Sequence, residues 1–174
     1  MLNLGRSARR AGAVTAIAAV GIIASVAPAL ALNNDRYWYS SSSPLKVYDG
    51  GVAQGGAYGK WRLTYVSGSL KSVASGYVKD YRVGGASVYF ELRTQTNSGI
   101  CVTPPYTSCS QPWYNYAYDD SAHSNSDAWV DTSASTGVRD TSDGARGTVR
   151  TCEEVRFVPD TCSGWWYSAP DTYA

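Results

Sequence analysis

Apolar side chains in this chain recur on every second position, and that period excludes most folds. Val88, Phe90 and Leu92 alternate with Tyr89, Glu91 and Arg93, and Trp61, Leu63 and Tyr65 alternate with Arg62 and Thr64. A period of two puts one set on each face of a pleated strand. After residue 31 no stretch carries apolar residues at i, i+3, i+4 and i+7 over three turns, so no helix is expected there. Thr, Val, Tyr and Trp are abundant, and they suit half-buried pleated surfaces. Further strands are predicted near Leu45–Tyr48, Leu70–Ala74, Tyr77–Val83, Tyr114–Tyr118, Ala128–Val130, Thr148–Arg150 and Val155–Phe157. Gly84-Gly85 reads as a hairpin turn, and Asp-rich clusters separate the later strands. About eight short strands in one small chain imply an all-β fold, a single antiparallel β-sandwich.

The ends of the chain read differently. Arg6, Arg9 and Arg10 precede an apolar run from Ala11 to Val26, closed by Pro28 and Ala29-Leu30-Ala31. That order is a secretory signal peptide over residues 1–31, cleaved after Ala31. A membrane anchor is the competing reading, but a span needs about 20 apolar residues and this run is shorter and rich in Ala and Gly. The mature protein is expected to be secreted and extracellular, with no membrane attachment. Residues 32–58 read as an extended N-terminal arm: Tyr37-Trp38-Tyr39 is followed by four serines, and Asp49-Gly50-Gly51 and Gly55-Gly56 punctuate the rest. Tyr37, Trp38, Tyr39, Leu45, Val47 and Tyr48 are its expected partner-binding residues, docking on a partner's sheet edge or groove. The alternative is that the arm folds back as an edge strand of its own sandwich. Residues 59–174 form the expected β-sandwich domain.

Charge removes two partner classes. The whole chain has 15 Lys+Arg against 14 Asp+Glu, and three of the arginines leave with the signal. A near-neutral mature chain has no counterion-release drive toward nucleic acid and no polybasic patch for anionic lipid. Cys101, Cys109, Cys152 and Cys162 make an even set in an exported chain, which reads as two disulfides. Their spacings, C-x7-C and C-x9-C, fit zinc knuckles poorly. The local pairs Cys101–Cys109 and Cys152–Cys162 are preferred, because prolines inside each interval bend the chain back.

No catalytic motif stands out. His123 is the one histidine, and no G-x-S-x-G elbow marks a serine for it to activate. Glu91, Glu153 and Glu154 are the glutamates from which a glycosidase pair could be drawn. An ion pair for Glu91 beside Arg93, and edge protection by Glu153 and Glu154, are the simpler roles. Asp119, Asp120, Asp127 and Asp131 match no calcium loop and serve equally well as turn formers. No metal and no cofactor are expected. The remaining signal is aromatic: Tyr114, Tyr116 and Tyr118 suggest one strand face, and Trp165-Trp166 a surface aromatic site able to stack on sugars.

Leu45-Lys46-Val47-Tyr48, Ser87-Val88-Tyr89-Phe90-Glu91, Ala145-Arg146-Gly147 and the run from Cys152-Glu153-Glu154 to Pro159-Asp160-Thr161-Cys162 lie along most of the mature chain. In these stretches the chain resembles small exported actinobacterial proteins, in particular the adaptor subunit of umbrella-shaped antibacterial toxin particles. The resemblance implies a non-enzymatic bridge between a lectin-like subunit and a repeat-containing scaffold subunit. It offers no place for Cys101 and Cys109. A carbohydrate-binding module using exposed Trp and Tyr is the alternative, and a small secreted hydrolase the second alternative.

Overall fold

The computed structural model describes residues 32, 34–97, 113–139, 142 and 144–172. The signal-peptide region, Cys101 and Cys109 lie outside the described residues. Eleven strands are described: β1 (Arg36–Trp38), β2 (Leu45–Asp49), β3 (Val52–Val66), β4 (Ser69–Asp80), β5 (Ser87–Asn97), β6 (Tyr114–Asp120), β7 (Val130–Gly137), β8 (Gly144–Glu154), β9 (Thr161–Cys162), β10 (Trp166–Tyr167) and β11 (Asp171–Thr172). They form two antiparallel sheets. In the first, β3 pairs with β4 and β4 with β7, while β1 and β2 share the other edge of β3. In the second, β5 lies between β6 and β8, and β9, β10 and β11 share the far edge of β8.

The expected all-β class and two facing sheets are present, with fewer breaks than the sequence suggests. Ala53 to Tyr65 is one continuous strand because Gly55 and Gly56 stay in the ladder opposite Asp80 and Lys79. Thr148–Arg150 likewise belongs to the unbroken β8, whereas Val155–Phe157 is a turn whose Phe157 sits at a φ of 69°. The core takes one face of each sheet: Ala57, Trp61, Leu63, Ala74 and Val78 meet Phe90, Leu92 and Val149. Trp61 fits because its indole lies against Gly147, where a Cβ would come within 2.2 Å of the ring. Its Nε1 donates to Ser72 Oγ at 2.8 Å, and Thr94 Oγ1 donates to the same oxygen at 2.7 Å. Burying these polar atoms without partners would be costly.

The arm is corrected. Arg36–Trp38 and Leu45–Asp49 are strands of the first sheet, with Trp38 opposite Gly59 and Leu45 opposite Ala57. Trp38 is fully buried and meets Phe90 edge-on at 5.2 Å, and Leu45 and Val47 are buried as well. Apolar side chains at Trp38, Leu45 and Val47 stabilise the chain more by covering an open sheet edge than by waiting in water. Only Tyr37, Tyr39 and Tyr48 of the six arm residues are exposed. The two sheets are tied at this seam, where an Arg36 guanidinium nitrogen (Nη2) donates to Asp171 Oδ1 at 2.8 Å.

The Cys152–Cys162 disulfide is formed, linking β8 to β9 across their paired register. Among the described residues no helix is long and apolar enough to cross a membrane.

Candidate functional site

The outer face of the first sheet holds an open groove of about 470 Å³. Strand alternation builds it. Ala57, Trp61 and Leu63 point inward, so Tyr58 and Lys60 point out, with Tyr58 opposite Tyr77 and Lys60 opposite both Tyr37 and Ser75. Asp131 continues the row beyond Tyr77. The Tyr58 and Tyr77 rings stack at 5.2 Å, and Trp129 meets Tyr58 edge-on at 4.9 Å, which holds the Tyr58 ring in place. Gly59 and Gly76 face each other beside this pair. A Cβ on Gly76 would lie 2.1 Å from the Tyr58 carbonyl, so the close approach of β3 and β4 requires glycine there.

Tyr37, 72% exposed, and Tyr39, 48% exposed, form the wall. Tyr39 has a φ of 56°, a left-handed conformation uncommon for a non-glycine residue. It opens the turn in which Ser40 and Ser43 exchange backbone hydrogen bonds. Lys60 Nζ donates to Asp35 Oδ2 at 2.8 Å, so its charge is answered. The Asp131 carboxylate and the four groove phenols make no hydrogen bond among the described residues.

The opposite outer face, on the second sheet, is knit by arginines. Glu91 accepts from Arg150 and Arg93. The Trp165 ring lies 4.2 Å from the Arg93 guanidinium and 4.5 Å from that of Arg150. Arg146 approaches the Trp113 and Tyr167 rings at 4.7 and 5.2 Å, and its Nε donates to Gln95 Oε1. Trp165 is therefore engaged by cations, and Trp166 packs against the core. Neither is the open stacking platform expected of the pair. The tyrosine stripe is also corrected. A bulge at Thr94/Gln95 sets Tyr118 opposite Arg93 and Tyr114 opposite the buried Thr96, so the two point to different sides.

His123 does meet a serine and a glutamate. Ser87 Oγ lies 3.3 Å from His123 Nδ1, and Glu154 Oε2 lies 2.9 Å from the same nitrogen. A proton relay needs the hydroxyl on one ring nitrogen and the carboxylate on the other, which this arrangement lacks. Ser87 Oγ also donates directly to Glu154 Oε2 at 2.7 Å. The Ser87 hydroxyl, then His123, hold the Glu154 carboxyl below its usual range. His123 stacks parallel on Tyr89 at 4.2 Å, and the Tyr89 hydroxyl donates to Asp160 Oδ2 at 2.6 Å. Burial first, then this bond, push the Tyr89 phenol well above its ordinary value.

Burial, then the neighbouring charges of Asp49 and Asp80, raise the Glu153 carboxyl. Burial beside Glu91 raises that of Asp120. Asp119 accepts a hydrogen bond from the Ser135 backbone N–H at 2.9 Å. Among the described residues no three His, Cys, Asp or Glu side chains are grouped to hold a metal ion.

Tyr58, Tyr77, Asp131 and Trp129 were not legible as a site, because only the β3–β4–β7 register puts them side by side. The signal available was the mirrored pair Tyr58-Gly59 and Gly76-Tyr77. No protein-family model, no curated protein and no solved structure matches this chain.

Proposed function

We propose that the chain is a non-enzymatic secreted binding protein that bridges two partners, one on each outer face of its sandwich. The observation that carries this reading is the pair of aromatic and polar patches on opposite faces. One is the open groove of Tyr37, Tyr39, Tyr58 and Tyr77. The other is the arginine-laced face of Arg93, Arg146 and Arg150, flanked by the exposed Tyr118. Tyr and Arg are the residue types that most often anchor interfaces. A bridge needs two surfaces that work without competing, and the sandwich core keeps these apart. The shared Nδ1 at His123 favours this over hydrolysis, because the Ser87 hydroxyl donates to Glu154 and is not held by an imidazole nitrogen that a carboxylate orients from the other side to take its proton. The lectin-like and repeat-containing partners implied by the resemblance are the proposed companions.

Affinity capture from culture fluid tests the bridge, with one variant per face. Tyr77→Ala is expected to lose one companion and Arg146→Ala the other, with both proteins folded. Loss of the same companion by both variants, or of none, overturns it.

A further inference from the structure

We infer that the groove on the first sheet is a carbohydrate site, taking a neutral hexopyranose unit of a glycan. This rests on reading the groove as one of the two binding faces. Its volume of about 470 Å³ lies within the range of about 300–1,000 Å³ usual for small-ligand sites.

The polar atoms select the ligand class. The Asp131 carboxylate and the hydroxyls of Tyr37, Tyr39, Tyr58 and Tyr77 have no hydrogen-bond partner among the described residues. A purely apolar ligand would bury those groups unpaired, at a cost. An anion is disfavoured, because Asp131 is unpaired while Lys60 already serves Asp35. An extended peptide gains most from main-chain bonds, but the floor strands β3 and β4 are paired on both sides and have none to give. A pyranose answers every term: its C–H face lies on a tyrosine ring, and its hydroxyls donate to Asp131 and exchange hydrogen bonds with the phenols. The Tyr58 ring, clamped by Tyr77 and Trp129, is ordered before the ligand arrives, which lowers the entropy lost on binding.

The test is affinity electrophoresis of the purified full chain in gels containing a soluble β-glucan, a mannan or a galactan, followed by calorimetry with whichever retards it. Retardation by at least one is expected. Asp131→Asn and Tyr77→Ala should each weaken binding at least tenfold, and Phe157→Ala on the far turn should not. Melting curves of all three variants must stay close to that of the parent. No retardation in any gel overturns the inference, as does retardation that neither groove variant weakens. Failure here is separable from failure of the bridge. If Tyr77→Ala abolishes capture of a companion that has been stripped of its glycans, the bridge stands and the sugar site falls.

Discussion

Trp38 shows how much one side chain decides. Its neighbours in sequence predict an arm, yet it is wholly buried against Phe90 in the core. Trp38→Ala should cost about 3–5 kcal/mol in urea unfolding; a loss under about 1 kcal/mol would mean the indole is not core. Glu153 and Glu154, adjacent in sequence, should respond to pH in opposite directions. Glu153 has its carboxyl raised above the ordinary 4.5 by burial and by Asp49 and Asp80, so its ionisation opposes folding. That penalty is complete above the raised value and vanishes as pH falls below 4.5. Glu154 is lowered by Ser87 and His123, so it adds stability above 4.5 that is lost as pH falls through its folded value. Glu153→Gln should therefore raise the melting temperature at pH 7 with the gain fading in acid, and Glu154→Gln should lower it at pH 7 with the loss fading in acid. Parallel pH profiles for the two variants would contradict both assignments.

At the scale of elements, legibility followed the period-two pattern. The strand Val88–Leu92 and its partner around Val149 were readable because one face is apolar and the other is not. Of β1 and β2 only Leu45–Tyr48 is legible as a strand, and both look detached, since serines and glycines surround them and nothing local reveals that they cap the edge of β3. The bulge in β6 was equally invisible: Tyr114, Tyr116 and Tyr118 alternate perfectly in sequence, and only the slipped pairing with β5 breaks their stripe. Local spacing did identify the Cys152–Cys162 bridge, because its two ends lie in adjacent paired strands. β7 is an edge of the first sheet, and Asp119 occupies one of its free N–H groups at Ser135. Asp119→Ala should leave that edge open to pairing with another chain, giving faster aggregation in light scattering with little change in melting temperature. Unchanged aggregation would show that Asp119 does not guard the edge.

Across the whole molecule, the fold class was legible and the site was not, because a site on a sheet face depends on register between strands far apart in sequence. The groove uses β1, β3, β4 and the start of β7, and no window of sequence contains them together. Removing residues 32–43 should abolish cooperative unfolding, since it deletes β1, Trp38 and the Arg36 link to Asp171. A truncated chain that melts like the parent would restore the arm as a detachable segment.

The Arg36–Asp171 link spans 135 positions, so the seam it closes joins segments that lie far apart along the chain. During synthesis β1 is made long before β11, which it meets across the seam. Closure of the seam waits for β11, and such distant pairings make folding slow, on the order of milliseconds to seconds. The seam between the sheets is thus among the last contacts to form, while β1 and β3 can already be paired before it closes.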